Sequence, residues 1–149
     1  MYAHILIATD GSEFAAKGLD HGLALAKRLG AEATVVTVTA PWISLGYEGT
    51  AGWSGGAAPI VEYETAMAQT AQSILDAAGK AALEAGIPCS LVHVPDKHPA
   101  DGIVETAEKK GADLIVMASH GRRGLKRLLL GSQATQVLSL SQIPVLVVR

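Results

Sequence analysis

Short runs of apolar and β-branched residues recur along this chain, each separated from the next by a stretch long enough for a helix. The runs are ILIAT (5–9), ATVVTVT (33–39), CSLVHV (89–94), LIVM (114–117) and IPVLVV (143–148). Most are apolar at nearly every position instead of alternating with polar residues, so the sheet they form needs cover on both faces. Helical signals fill the gaps. Leu19, Leu23, Ala26 and Leu29 share one face, Ser12 or Asp10 can cap their helix, and Gly30 ends it. A longer helix from about Ile60 to Ala85 carries Tyr63, Met67, Ala71, Ile74 and Ala78 at helical spacing, and Gly86 and Pro88 stop it. Pro99 opens a short helix with Ile103, Val104 and Ala107 on its apolar face, and Gly111 closes it. Gly131-Ser132 opens the last, which carries Val137 and Leu140. Strands alternating with helices predict an α/β fold with a five-stranded parallel sheet. Right-handed crossovers make a doubly wound arrangement the leading one, with helices on both faces.

Composition narrows the function. The 149 residues suit one domain spanning 1–149. The net charge of −2 gives the chain no bias toward polyanions, so no nucleic-acid partner is expected. Cys89, the one cysteine, excludes an internal disulfide and reads as a buried filler. No run approaches the roughly 18 apolar residues of a membrane span, and the start lacks the basic region of a leader, so the expected location is the cytoplasm, with no membrane partner. Residues 41–59 stand apart. Pro41, Pro59 and interspersed glycines make them a loop holding Trp42, Tyr47 and Trp53.

Doubly wound sheets bind ligands beyond the carboxyl ends of their strands. Two strand-ending sequences there carry suggestive residues: Thr9-Asp10-Gly11-Ser12, and the stretch that leaves Ala118-Ser119 as HGRRGLKRLLLGS. In the second, glycines let backbone amides approach an anion, and a helix N-terminus adds N–H groups and partial positive charge. Arg122, Arg123, Lys126 and Arg127 place four cations in six residues. Phosphate binding and a solvated surface loop with a helix cap at Ser132 both fit. Asp10 can accept a hydrogen bond from a ligand, or cap the first helix. Ser119, His120 and Asp10 include the residue types of a hydrolase triad, but adjacent Ser and His side chains rarely pair productively and no G-x-S-x-G elbow is present. His93 and His98 lack a third nearby metal ligand.

The stretch His120–Ser132, the opening ILIATDGS and the final PVLVV together resemble the universal stress protein family over nearly the whole chain. Many ATP-binding relatives carry G-x2-G-x9-G-[ST]. Gly121 and Gly131-Ser132 match that pattern, and Ala118 replaces its first glycine. The resemblance implies a strand order of 3-2-1-4-5 and a regulatory homodimer formed through the last strand, from Ile143 to Val148. It also implies ATP, with or without Mg²⁺, as the ligand. By position, Asp10 and Val38 would contact the adenine and ribose side, with Ala8 and Met117 lining the base pocket beside Thr9. His120, Gly121, Gly131, Ser132 and Gln133 would hold ribose and phosphates, with Arg122 and Arg123 near them. Two alternatives stay open: an interaction protein that has lost the nucleotide, suggested by Ala8 and Ala118, and a slow ATPase using His120 or Ser132, beside which no clear general base stands.

Overall fold

Ile5, Leu6 and Ile7 have no exposed surface, which requires layers on both sides of the strand that carries them. The computed structural model describes residues 1–42, 58–121 and 129–149. In chain order the elements are β1 (His4–Ala8), α1 (Glu13–Leu29), β2 (Glu32–Val38), α2 (Ala58–Ala85), β3 (Cys89–Val94), α3 (Pro99–Lys110), β4 (Leu114–Ala118), α4 (Ser132–Leu140) and β5 (Val145–Val148). The strands form one five-stranded sheet of order β3-β2-β1-β4-β5, parallel at every pairing, as expected. Chain direction reverses its winding between β1 and β4.

Side-chain alternation along the strands feeds two cores. Ile5, Ile7, Val35, Leu114 and Val116 pack with Leu23 and Ala26 of α1 and with Leu75, Ala78 and Ala82 of α2. Leu6, Ala8, Val36, Ile115 and Met117 face the other way, onto Ala100, Ile103, Val104 and Ala107 of α3 and Ala134 and Val137 of α4. Helices thus cover both faces, two to a side. At Gly22, α1 comes so close that a β-carbon would lie 2.6 Å from Ile7 Cδ1.

Several expectations shift. Cys89 is half-buried, because β3 lies at an edge of the sheet with Ser90 and Leu91 exposed. Burial still pushes the Cys89 thiol up, outweighing the opposing hydrogen bond with the Val35 backbone. Leu29 and Leu140, each the last residue of its helix, are exposed. The final strand begins at Val145, two residues after the expected start, although the Pro144 carbonyl already accepts from the Ile115 N–H. Ser12, and not Asp10, caps α1: its side chain accepts from the Ala15 N–H at 3.2 Å. The long helix starts two residues early, with Pro59 inside its first turn, where a missing N–H costs nothing.

The amino end of the sheet is tied down by Asp113, whose carboxylate accepts from the Ala3 and His4 N–H groups at 2.8 and 3.1 Å. The hydrogen bond from Ala3 leads the causes that hold this carboxyl below the usual aspartate range. A depressed acid stabilises the fold above its unfolded pKa, near 3.9, and that contribution disappears as pH falls through the lower folded value. Asp113→Asn should therefore be less stable than wild type at pH 7, and the gap should narrow toward pH 3 in urea unfolding. A gap independent of pH would contradict this assignment.

Candidate functional site

Two turns at the carboxyl edge of the sheet, on either side of the winding reversal, build the site. After β1, the Thr9 N–H still bonds to the Val36 carbonyl at 3.0 Å. The chain then folds on its own side chains. Thr9 Oγ1 accepts from the Gly11 N–H, and Asp10 Oδ1 accepts from the Ser12 N–H at 2.9 Å. Such local bonds hold the carboxylate in place. Its Oδ2 lies beside the second turn: a β-carbon built on Gly121 would lie 2.6 Å from it.

The second turn leaves β4 through Ser119, whose N–H bonds to the Val148 carbonyl at 2.7 Å. The Ser119 carbonyl then accepts from the Gly131 N–H at 2.7 Å, so the chain departs and returns at the same point. A β-carbon on Gly131 would meet that carbonyl oxygen at 2.8 Å. Gly131 is also the N-cap of α4 and has no side chain with which to cap it. The first amides of α4 are thus offered beside the turn, with partial positive charge behind them. Ser119 Oγ lies 3.0 Å from His120 Nδ1, and the His120 ring tilts against Phe14 with centroids 6.1 Å apart. The serine–histidine contact therefore forms between neighbours, and it orients the imidazole.

A cleft of about 790 Å³ opens between these turns and extends over the sheet edge onto both faces. Ala8, Thr9, Asp10, Val38, Met117, Ala118, His120, Gly121, Gly131, Ser132 and Gln133 all line it. Arg122 and Arg123 lie outside the described residues, as do Lys126, Arg127 and residues 43–57 of the glycine-rich stretch. Alternation sorts the strand residues. Ala8, Val38 and Met117 point toward α3 and α4. Ala118 follows Met117 in β4, so its methyl points to the opposite face, where a β-carbon on Gly18 of α1 would lie 3.1 Å from the Ala118 nitrogen.

Sequence reasoning missed the far wall of the cleft, formed by Tyr63, Met67, Thr70 and Ile74 of α2. With 28 residues, α2 is about 42 Å long, whereas the strands it crosses span about 23 Å at most. Its N-terminal half therefore overhangs the sheet edge. The helical spacing of Tyr63, Met67 and Ile74 was the available signal, and it reads as core until that overhang is known. The Tyr63 hydroxyl donates to the Ala40 carbonyl at 2.8 Å, and its ring meets Trp42 edge-on at 5.2 Å between centroids. Burial, then the charge of Asp96, raises its pKa. His93, read from sequence as a candidate ligand without partners, sits 2.9 Å from Thr39 Oγ1, and burial lowers its pKa.

A doubly wound parallel sheet with a cleft at its reversal point, flanked by two glycine turns, defines an α/β protein whose candidate site lies where such sheets take their ligands. The chain belongs to the universal stress protein family, whose sequence profile matches residues 1–149. It is 37% identical over 151 residues to universal stress protein MJ0531 of Methanocaldococcus jannaschii, covering 100% of this chain and 83% of that one. The solved structure of the protein MJ0577 superposes with a TM-score of 0.83 at 30% identity, covering 99% of this chain and 96% of that one. A universal stress protein solved in complex with cAMP superposes with a TM-score of 0.70 at 26% identity, covering 99% and 97%. Among the described residues no helix is long and apolar enough to cross a membrane.

Proposed function

We propose that this protein is a cytoplasmic, single-domain stress-response regulator that binds an adenine nucleotide, ATP in the first instance, in the cleft at the sheet's carboxyl edge. The observation that carries the reading is the pair of glycines with no room for a side chain. Gly121 abuts the Asp10 carboxylate and Gly131 abuts the Ser119 carbonyl, so the backbone of both turns is brought to the cleft at the start of α4, where the N-cap residue has no side chain. Ala8, Val38 and Met117 form the apolar wall for the base. Asp10 accepts from the base amino group or a ribose hydroxyl. The amides of Gly121, Ser132 and Gln133, with the Ser132 hydroxyl and His120, serve ribose and phosphates, Gly131 gives its own N–H to Ser119 and acts by keeping the turn narrow, and Arg122 and Arg123 add charge; Mg²⁺ would screen the phosphates. The orientation of Ala118 supports tolerance of the missing glycine, because its methyl lies on the face away from the base wall. The neighbouring fold that holds cAMP supports the same ligand class.

Isothermal titration of nucleotide-stripped protein with Mg·ATP should give saturable binding in the micromolar range. No heat at millimolar ATP would overturn the reading in favour of an interaction protein without a nucleotide.

The dimer part of the proposal rests on β5. It pairs with β4 on one side and ends the sheet order on the other, with Leu146 exposed along it. An apolar edge of this kind is a template for a second copy, and a two-fold axis lets each β5 pair with its twin. Leu146→Asp should move the protein from dimer to monomer in sedimentation velocity. A dimer that survives this change does not use the edge.

A further inference from the structure

Helix α3 begins without a cap of its own. His98 stands at its N-cap and makes no side-chain bond there, and Pro99 has no N–H. The Gly102 N–H reaches the His98 carbonyl at 3.0 Å in the ordinary helical way. The Ala100 N–H is instead taken by Gln133 Oε1 at 3.1 Å, from the first turn of α4, 33 residues further along the chain. A leading helical amide needs an acceptor, and Ala100 is buried where water cannot serve.

The two helices so joined carry different halves of the cleft. The start of α4, at Gly131 and Ser132, lines the side of the phosphate turn. The start of α3 backs the base wall: a β-carbon on Gly102 would lie 2.8 Å from both γ-methyls of Val38, so Val38 rests directly on the α3 backbone. Ile103, one residue on, lines the cleft itself. A displacement of α3 by a few tenths of an ångström is therefore passed to Val38 with nothing between to absorb it.

We infer that the Gln133 side chain is a positioning residue: it caps α3 from α4 and sets the spacing between the base wall and the phosphate turn. The effect on ligand rests on the proposed nucleotide reading, whereas the cap does not. Gln133→Ala keeps the Gln133 backbone amide and favours helix, so the variant folds.

The test measures amide exchange at Ala100 in nucleotide-free protein, together with titrations of adenosine and Mg·ATP. In Gln133→Ala, Ala100 should exchange faster, and both affinities should fall by a similar factor, about fivefold for a lost cap. Gln133→Glu restores an acceptor at a helix N-terminus that also favours negative charge. It should return Ala100 protection and adenosine affinity to wild-type values, while Mg·ATP stays weakened by a carboxylate beside its phosphates. Unchanged Ala100 exchange in Gln133→Ala, or adenosine affinity that Glu fails to restore, overturns the inference. Wild-type protein that binds neither adenosine nor Mg·ATP removes the nucleotide reading and the positioning role with it, and faster Ala100 exchange would then establish a structural cap alone.

Discussion

Gly121→Val is expected to abolish measurable Mg·ATP binding, a loss of at least about a hundredfold, as expected when a lost polar contact and a displaced turn act together. The reason is local. A β-carbon at this position lands 2.6 Å from Asp10 Oδ2. Either the carboxylate gives up its bond to the Ser12 N–H or the turn after β4 moves away from β1. Both outcomes separate the two turns that the nucleotide must bridge. Gly121 is exposed, so thermal stability should stay near that of wild type, and circular dichroism through the melt checks this. A variant that folds and still binds with wild-type affinity would show that the ligand does not use this turn.

Ile7→Ala should be the most destabilising of the simple core truncations, by about 3–5 kcal/mol. Ile7 is fully buried in the central strand, with its register partners Val35 and Val116 on either side. Above it lies Gly22, which has no side chain to fill the void. For a chain of this length the melting midpoint should drop by roughly 6–20 °C. The same contact makes a reciprocal prediction. Gly22→Ala alone should destabilise, by about 1–3 kcal/mol of overpacking, despite the better helix propensity of alanine. Combined with Ile7→Ala, its methyl enters the vacated space, so the double variant should be more stable than the sum of the single effects predicts, by about 1 kcal/mol or more. Strict additivity in denaturant unfolding would mean that α1 and β1 are not in the close contact described here.

The strands were legible because β-branched and apolar runs bounded by glycine and proline have few other uses; β1, β2 and β4 begin or end within a residue of their expected limits. Strand rank was less so. Cys89, Leu91 and Val92 look as apolar as residues of an inner strand, and only the parallel order puts β3 at the edge and leaves Cys89 half-buried. Of the site, the residues that follow a strand directly could be read from the chain: Asp10 after β1, and Ser119 to Gly121 after β4. Their neighbours across the cleft could not. Tyr63 and Met67 belong to it because α2 is longer than the sheet, a relation between two elements that neither sequence shows alone. Gln133 reaches Ala100 only after α3 and α4 have packed, and no local pattern marks a cap supplied from 33 residues away.

The Gly131 N–H to Ser119 carbonyl bond has one more consequence. It cinches the stretch between those residues at its neck, as a drawstring closes a bag. The cost of closing such a segment grows only slowly with its length, by about 0.6 kcal/mol for each doubling. A change of length or charge between its two ends should therefore cost the fold little, while the neck holds those ends in register with Asp10.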